Sequence, residues 1–369
     1  MAPEREAAAL RLPDGSLAVA WVAGTEGSQD LHLLRIAPDG SPRGTRLTVV
    51  SGWAALGSPA LVLLPDGIRV VFAGSETEPG GPQLLHAAAG TFERGFGPPG
   101  ILAGPPADGR PDAVVGAGDE PVVVFPSGGR LVVRGFGDAD VANVLDAPCC
   151  PEHVAVAYSP DTVAPEFVAP LEMAWSSRDP GAPGLFRRSL GNEVEPNVEV
   201  PYSVLPGGIV ESPTQRVALA IQRSPERVVI AYCSVPDCEA VYLWLGFWRL
   251  EPTEPVEVAL VPGATNVAIS AAREGVWVAW LREAAVHAVP VRASVGTAAP
   301  DVEASMGPAL AAPLDADAGE PVYLAVDGSH GPLDAVLVTR RDGAGILWHR
   351  RLADDAPSPS SPGTPGGSP

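Results

Sequence analysis

Gly275-Val276-Trp277-Val278-Ala279-Trp280 is a short apolar run, rich in β-branched and aromatic residues, that closes on an aromatic side chain. Degraded copies recur along the chain: Leu17-Ala18-Val19-Ala20-Trp21, Ile68-Arg69-Val70-Val71-Phe72, Pro121-Val122-Val123-Val124-Phe125, Leu171-Glu172-Met173-Ala174-Trp175 and Val228-Val229-Ile230-Ala231-Tyr232. Their terminal aromatics step by 51, 53, 50, 57 and 48 residues. A seventh copy, Asp334-Ala335-Val336-Leu337-Val338, keeps the rough spacing and loses the aromatic. A period of about 50 residues, carried by short strands, is what an array of small sheets around one axis requires.

The spacing therefore predicts an all-β fold, a seven-bladed β-propeller, with six blades as the alternative. The best strands are continuously apolar rather than alternating, as expected where both faces of a sheet are covered by neighbours. Pro13-Asp14-Gly15, Pro38-Asp39-Gly40 and Pro65-Asp66-Gly67 supply the fixed φ, side-chain acceptor and tolerance of positive φ that tight turns need. The Ala-dense stretch 270–289 invites a helical reading, but Gly275 interrupts it and Val and Trp dominate its centre. Residues 1–353 form the expected propeller. Residues 354–369 are mostly Pro, Ser and Gly with no large apolar anchor, the composition of a disordered tail. The last unit lacks an outer strand, so either residues 2–6 supply it or that blade has three strands.

The 369 residues carry a formal net charge of -20, with 24 Arg and no Lys. Nucleic-acid binding needs clustered cations, so that class is excluded from the leading readings. A negative field favours solubility and basic partners. No run of eighteen apolar residues exists, and hence no transmembrane segment is expected. Met1-Ala2-Pro3-Glu4-Arg5-Glu6 lacks the basic and apolar regions of a secretory leader. The product is extracytoplasmic or secreted if a leader is missing from this chain, and otherwise cytoplasmic.

Four cysteines are the sharpest chemical feature. Cys149 and Cys150 fall in the link between units three and four, while Cys233 and Cys238 flank the loop after the second strand of unit five. In an inner-to-outer blade these positions share one face of the ring. Disulfides are the first reading, Cys233 with Cys238 across Ser234-Val235-Pro236-Asp237 and a contact to the vicinal pair, which would imply an oxidising compartment. Reduced, packed thiols are the second. A metal site is the third, with His153 joining Cys149, Cys150, Cys233 and Cys238 around zinc or copper, although adjacent cysteines chelate one ion awkwardly.

Other motifs are weaker. Gly95-Phe96-Gly97-Pro98-Pro99-Gly100 spells a dinucleotide fingerprint, but Pro98 and Pro99 have no N–H to offer a pyrophosphate, so a plain turn is expected. Asp315-Ala316-Asp317-Ala318-Gly319-Glu320 and Asp138-Ala139-Asp140 alternate carboxylates as calcium loops do, without the full ligand series. Asp327, Ser329 and His330 are triad residue types set too close in sequence to orient one another, and no nucleophile elbow is present. Trp244 and Trp248, with Tyr242 and Phe247, form a dense aromatic patch suited to blade packing or to stacking on a sugar.

Cys149-Cys150-Pro151, an inner strand, and then Ala174-Trp175-Ser176-Ser177-Arg178-Asp179 together resemble sialidase-like propellers. Ser177-Arg178-Asp179-Pro180-Gly181 shares the Ser-x-Asp-x-Gly start of the sialidase Asp-box but lacks its aromatic and follows a second strand. No positions match the arginine triad, tyrosine nucleophile or glutamate of those enzymes, so the resemblance implies fold and not activity. The leading functional reading is a non-catalytic binding module or scaffold for a protein or glycan partner, with no cofactor. The alternatives are a glycoside hydrolase or lyase, whose carboxylate pair sequence spacing cannot reveal across blades, and a metal-binding propeller holding zinc, copper or calcium.

Overall fold

The computed structural model describes residues 7–25, 27–116, 119, 121–135, 142–145, 151–158, 171–177, 184–190, 203–204, 217–223, 226–233, 240–246, 256–260, 264–295, 302–329, 331–341 and 344–354. Every regular element longer than one turn among them is a strand. The strands form seven antiparallel sheets, one after another along the chain.

Blade one is β1 (Ala7–Arg11), β2 (Leu17–Thr25), β3 (Ser28–Ile36) and β4 (Leu47–Trp53). Blade two holds β5 (Ala55–Leu56), β6 (Ala60–Leu64), β7 (Gly67–Ser75), β8 (Leu84–Thr91), β9 (Gly95–Phe96) and β10 (Gly100–Ile101). Blade three is β11 (Asp112–Val115), β12 (Pro121–Ser127), β13 (Arg130–Arg134) and β14 (Ala142–Leu145). Blade four is β15 (Pro151–Tyr158), β16 (Leu171–Ser177), β17 (Gly184–Leu190) and β18 (Ser203–Val204). Blade five is β19 (Val217–Arg223), β20 (Glu226–Cys233), β21 (Ala240–Gly246) and β22 (Val256–Leu260). Blade six is β23 (Thr265–Ala272), β24 (Gly275–Arg282), β25 (Ala285–Val295), β26 (Val302–Met306) and β27 (Leu310–Pro313). Blade seven is β28 (Glu320–Asp327), β29 (Leu333–Arg341) and β30 (Ala344–Ala353).

The six-blade alternative is thus wrong. The second strands carry the core because both of their faces are covered: in β24 every residue from Gly275 to Leu281 is buried. Each apolar cluster spans two blades. Tyr232 packs with Ala155, Ala174 and Leu185 of blade four, and Trp175 with Val122 and Val124 of blade three. Phe125 and Trp280 likewise lie against the blade before them, and Phe72 packs against blade one. Trp21 follows the same rule and lies against Tyr323, Val336 and Val338 of blade seven, so the ring closes.

That rule corrects the seventh copy of the repeat. Val338 faces forward to blade one, while Leu337 faces back to blade six among Trp277, Ala279 and Leu333. The residue on the aromatic's side of the sheet is therefore one position earlier, because a one-residue shift in a strand exchanges its faces.

Blade seven has three strands among the described residues, and residues 1–6 lie outside them. The run 270–289 is strand, not helix. Gly95 to Gly100 is more than a turn: Gly95–Phe96 pairs with Gly90–Thr91 and Gly100–Ile101 with His86–Ala87, so Pro98 and Pro99 interrupt an outer strand. The Asp-Gly turns form as expected. Gly15 N donates to Leu12 O at 2.9 Å with φ +80°, and the Ser16 amide and hydroxyl donate to Asp14 Oδ1 at 3.1 and 2.6 Å. Residues 355–369 of the expected tail are outside the described set.

Candidate functional site

The alternating strand directions give the ring two unlike faces. One carries the turns from inner to second strands, such as 12–16. The other, the link face, carries the hairpins from second to third strands and the connections between blades. The repeat aromatics are buried, from the middle of the second strand for Trp21 to within two residues of its link-face end for Trp175, Tyr232 and Trp280.

Each of five aromatics has a ring directly opposite on the third strand. Trp21 pairs with His32, Phe72 with His86, Trp175 with Phe186, Tyr232 with Tyr242 and Trp280 with His287. Ring centroids lie 5.4, 5.5, 5.7, 6.0 and 5.8 Å apart, the range of favourable aromatic contacts. Blade three has Phe125 opposite Val132. The pairs point into the wedge between a blade and its predecessor, so the same corner is rebuilt around the ring. Burial lowers the pKa of both His32 and His86 and raises that of Tyr232.

Two inter-blade corners carry added chemistry. Between blades four and five, the Arg187 guanidinium lies 4.0 Å from the Trp244 ring centroid. Glu172 and Arg187 are both buried, on blade four. Burial pushes Arg187 below its ordinary guanidinium pKa, and the charge of Glu172 opposes that shift. A carboxylate, a guanidinium and an indole in one wedge are the groups that bind sugar hydroxyls and stack on sugar rings. Between blades one and two, Trp53 stands edge-on to Phe72 and to His86, at centroid distances of 5.4 and 4.7 Å. Trp244 is wholly buried, so in this structure it packs blades, and Phe247 and Trp248 lie outside the described residues.

Of the cysteine constellation, Cys233 and His153 are described. Cys233 ends β20 opposite Val241 and is buried. His153 lies near the start of β15 opposite Ser176 and is half-buried. Both stand at the link face on neighbouring blades, as the spacing implied. Cys149, Cys150 and Cys238 fall outside the described residues. Among the described residues no three His, Cys, Asp or Glu side chains converge to hold a metal ion. Asp315 is instead engaged by Trp348 Nε1 at 3.4 Å and by its own turn, where Ala318 N donates to Asp315 O at 2.8 Å. Asp138 and Asp140 lie outside the described residues.

Two expectations need correction or narrowing. Asp327 and Ser329 do meet: the Ser329 hydroxyl donates to Asp327 Oδ1 at 2.9 Å and its amide at 3.1 Å. They form a local turn, and the same carboxylate accepts from the Arg11 amide of blade one at 3.0 Å. His330 is outside the described residues, as are 178–181 of the Asp-box-like run, whose Ser177 is buried at the end of β16. Sequence spacing marked Tyr242 and Trp244 as an aromatic patch but missed His32, His86, Phe186 and His287 on the third strands and, at the Trp244 wedge, Glu172 and Arg187. Their signal was the aromatic or His residue seven to fourteen positions after each strand-end aromatic.

No family model and no curated protein matches the chain. Solved structures do. The BP39L lectin from Burkholderia pseudomallei is 15% identical, over 97% of this chain and 98% of that one, with a TM-score of 0.57. The polysaccharide lyase Uly1 is 10% identical, over 96% of this chain and 90% of that one, with a TM-score of 0.54. AofleA from Arthrobotrys oligospora is 11% identical over 96% and 88% of the two chains, with a TM-score of 0.49. At these identities the likeness is one of fold.

Proposed function

We propose that the chain is a non-catalytic propeller that binds a partner on its link face, a glycan in preference to a protein. The observation that carries this reading is repetition: one aromatic corner is rebuilt in five blades beside loops that vary in length and sequence. A rigid scaffold that repeats a corner around an axis suits multivalent ligands such as branched sugars, since each added contact is then intramolecular. The full-length fold match to a lectin supports the same choice. Cys233 and Cys238 are proposed to close the blade-five hairpin, which suits an oxidising, extracytoplasmic setting.

A glycan array with the full chain, followed by calorimetry on the hits, tests the reading. Saturable binding to one sugar class is expected, together with no change in the sugar's chain length. Depolymerisation of a polysaccharide would replace the reading with the lyase or glycoside hydrolase alternative. An empty array with a protein captured stoichiometrically from purified candidates would move the partner to protein.

A further inference from the structure

We propose that the junction between blades one and two is an acid-sensitive latch whose sensing group is His86. The inference does not depend on what the link face binds.

The chain crosses from blade one to blade two through residues 53–57, which run between two hairpins. Gly27 N donates to Ala54 O at 2.9 Å, Ala54 N to Glu76 O at 3.1 Å and Gly57 N to Ala73 O at 2.7 Å. Leu56 N donates to the Gln29 side chain at 2.5 Å. Trp53 anchors this crossing by standing against Phe72 and His86. The fit is close, because a Cβ at Gly74 would lie 2.9 Å from the Trp53 ring. His86 lies flat on Phe72, with 16° between the ring planes.

His86 is 7% exposed, and its Nδ1 is buried with no hydrogen-bond partner. A neutral imidazole tolerates this, since an unmatched acceptor lone pair is a modest loss. Protonation would place both a charge and an unmatched N–H donor among aromatic rings, which is far more costly. Of the groups packed on it, Trp53 from blade one, Phe72 from β7 and Ile101 opposite on β10 bring no charge. Glu76, an exposed residue just beyond β7, is the carboxylate that favours the charged form, and a backbone bond to Gly74 acts the same way. Burial outweighs both and lowers the pKa.

The sign follows from linkage. A histidine whose folded pKa lies below its unfolded value stabilises the fold fully above the unfolded pKa of about 6.5, and that stability is lost as pH falls below it. Packing alone does not demand an imidazole at this place, for Phe186 fills it in blade four and Val132 in blade three. His32 repeats the arrangement in blade one, but its Nδ1 lies 3.3 Å from Thr48 Oγ1 and Asp30 stands 3.9 Å from Nε2, so its proton would be better met. Arg46 acts against that proton.

The test compares the full chain with His86→Phe and His86→Val at pH 7.5 and 5.0, by calorimetric Tm and by hydrogen-exchange protection of the 54–57 amides. The wild type is expected to lose about 2–4 °C on acidification, with protection falling several-fold at Ala54, Leu56 and Gly57. In a folded variant the protection of those amides should be the same at both pH values. An undiminished wild-type Tm, or a variant whose 54–57 amides still open at pH 5.0, would overturn the latch.

Discussion

Arg11 of the first blade and Asp334 of the last meet at 2.5 Å, each side chain 1% exposed. Arg11 also donates to the backbone oxygens of Asp327 at 3.1 Å and Pro332 at 3.2 Å, so one guanidinium spans the junction where the ring closes. Arg351 donates to both carboxylate oxygens of Asp334 at 3.3 and 3.2 Å, and His349 Nε2 lies 2.9 Å from Oδ1. Arg351 also donates to Pro38 O, back on blade one. Among the described residues blades one and seven share no strand. Apolar packing around Tyr323 and this charged clasp are what join them.

Removing either partner takes a buried charge from the other, leaving Asp334 to Arg351 and His349, and Arg11 to Asp327 and the Pro332 carbonyl. Arg11→Met or Asp334→Leu alone should therefore cost about 1.5–3 kcal/mol in denaturant unfolding. The double variant should cost clearly less than the sum of the two, since neither charge then remains. Additive losses would show that the clasp does not couple the two residues.

Acid should weaken this junction in a narrow window. Burial raises the pKa of Asp334, but hydrogen bonds from His349, Arg351 and Arg11 outweigh it and hold the carboxyl at about 2. A carboxylate whose folded pKa is depressed stabilises the fold above its unfolded pKa, near 3.9, and that contribution disappears as pH falls through 2. It amounts to about 2–3 kcal/mol. The unfolding free energy of the wild type should drop between pH 4 and pH 2, and Asp334→Asn should flatten that part of the profile. Equal slopes for the two proteins would remove Asp334 from the acid response. The His86 latch acts at higher pH, so the two effects separate.

The period of the strand-end aromatics was enough to count blades because those residues fill the wedge that every blade must fill. Their partners were hidden because the hairpins differ: Trp280 and His287 are seven apart, Phe72 and His86 fourteen. The clasp was hidden for another reason. Arg11 and Asp334 are 323 positions apart and become neighbours only when a ring closes, so nothing local marks either residue. Asp327 and Ser329 show the reverse case, a pair dismissed as too close in sequence whose short spacing suits a turn.

Gly275, which opens the strand quoted first, should resist substitution. Its φ is +129°, and an added Cβ would lie 2.3 Å from the Val291 carbonyl oxygen. Gly275→Ala combines backbone strain of about 1–3 kcal/mol with a backbone clash that no rotamer relieves. Gly44, with φ +83° and open space where a Cβ would stand, is the control. Its alanine variant should cost about 1 kcal/mol, and a smaller loss at Gly275 than at Gly44 would refute the argument.

Gln222 behaves as a strand residue supplied by a side chain. Its amide nitrogen donates to Ala293 O and its oxygen accepts from Ala293 N, both at 2.8 Å, tying β19 of blade five to β25 of blade six. Gln222→Leu would bury that N–H and C=O with no partner, at about 1–3 kcal/mol. Chemical denaturation should show that loss, and hydrogen exchange should place the faster amide at Ala293. Unchanged exchange at Ala293 would mean that the Gln222 side chain does not protect that amide.

The junction of blades six and seven predicts a coupling with a defined direction. Gly328 follows β28, and its amide donates to Ser270 Oγ at 2.9 Å, which fixes its backbone against blade six. A Cβ there would lie 2.5 Å from Trp277 Cδ1 and 3.1 Å from Nε1, against an indole that is itself wholly buried. Gly328→Ala should thus cost about 1–3 kcal/mol by overpacking. Trp277→Val loses the indole's contacts, but it removes the Cδ1 and Nε1 atoms the new methyl would strike. In the Trp277→Val background the added cost of Gly328→Ala should fall by at least half, a favourable interaction energy in the double-mutant cycle. The same cost in both backgrounds would mean that the backbone at residue 328, and not the indole, resists the methyl.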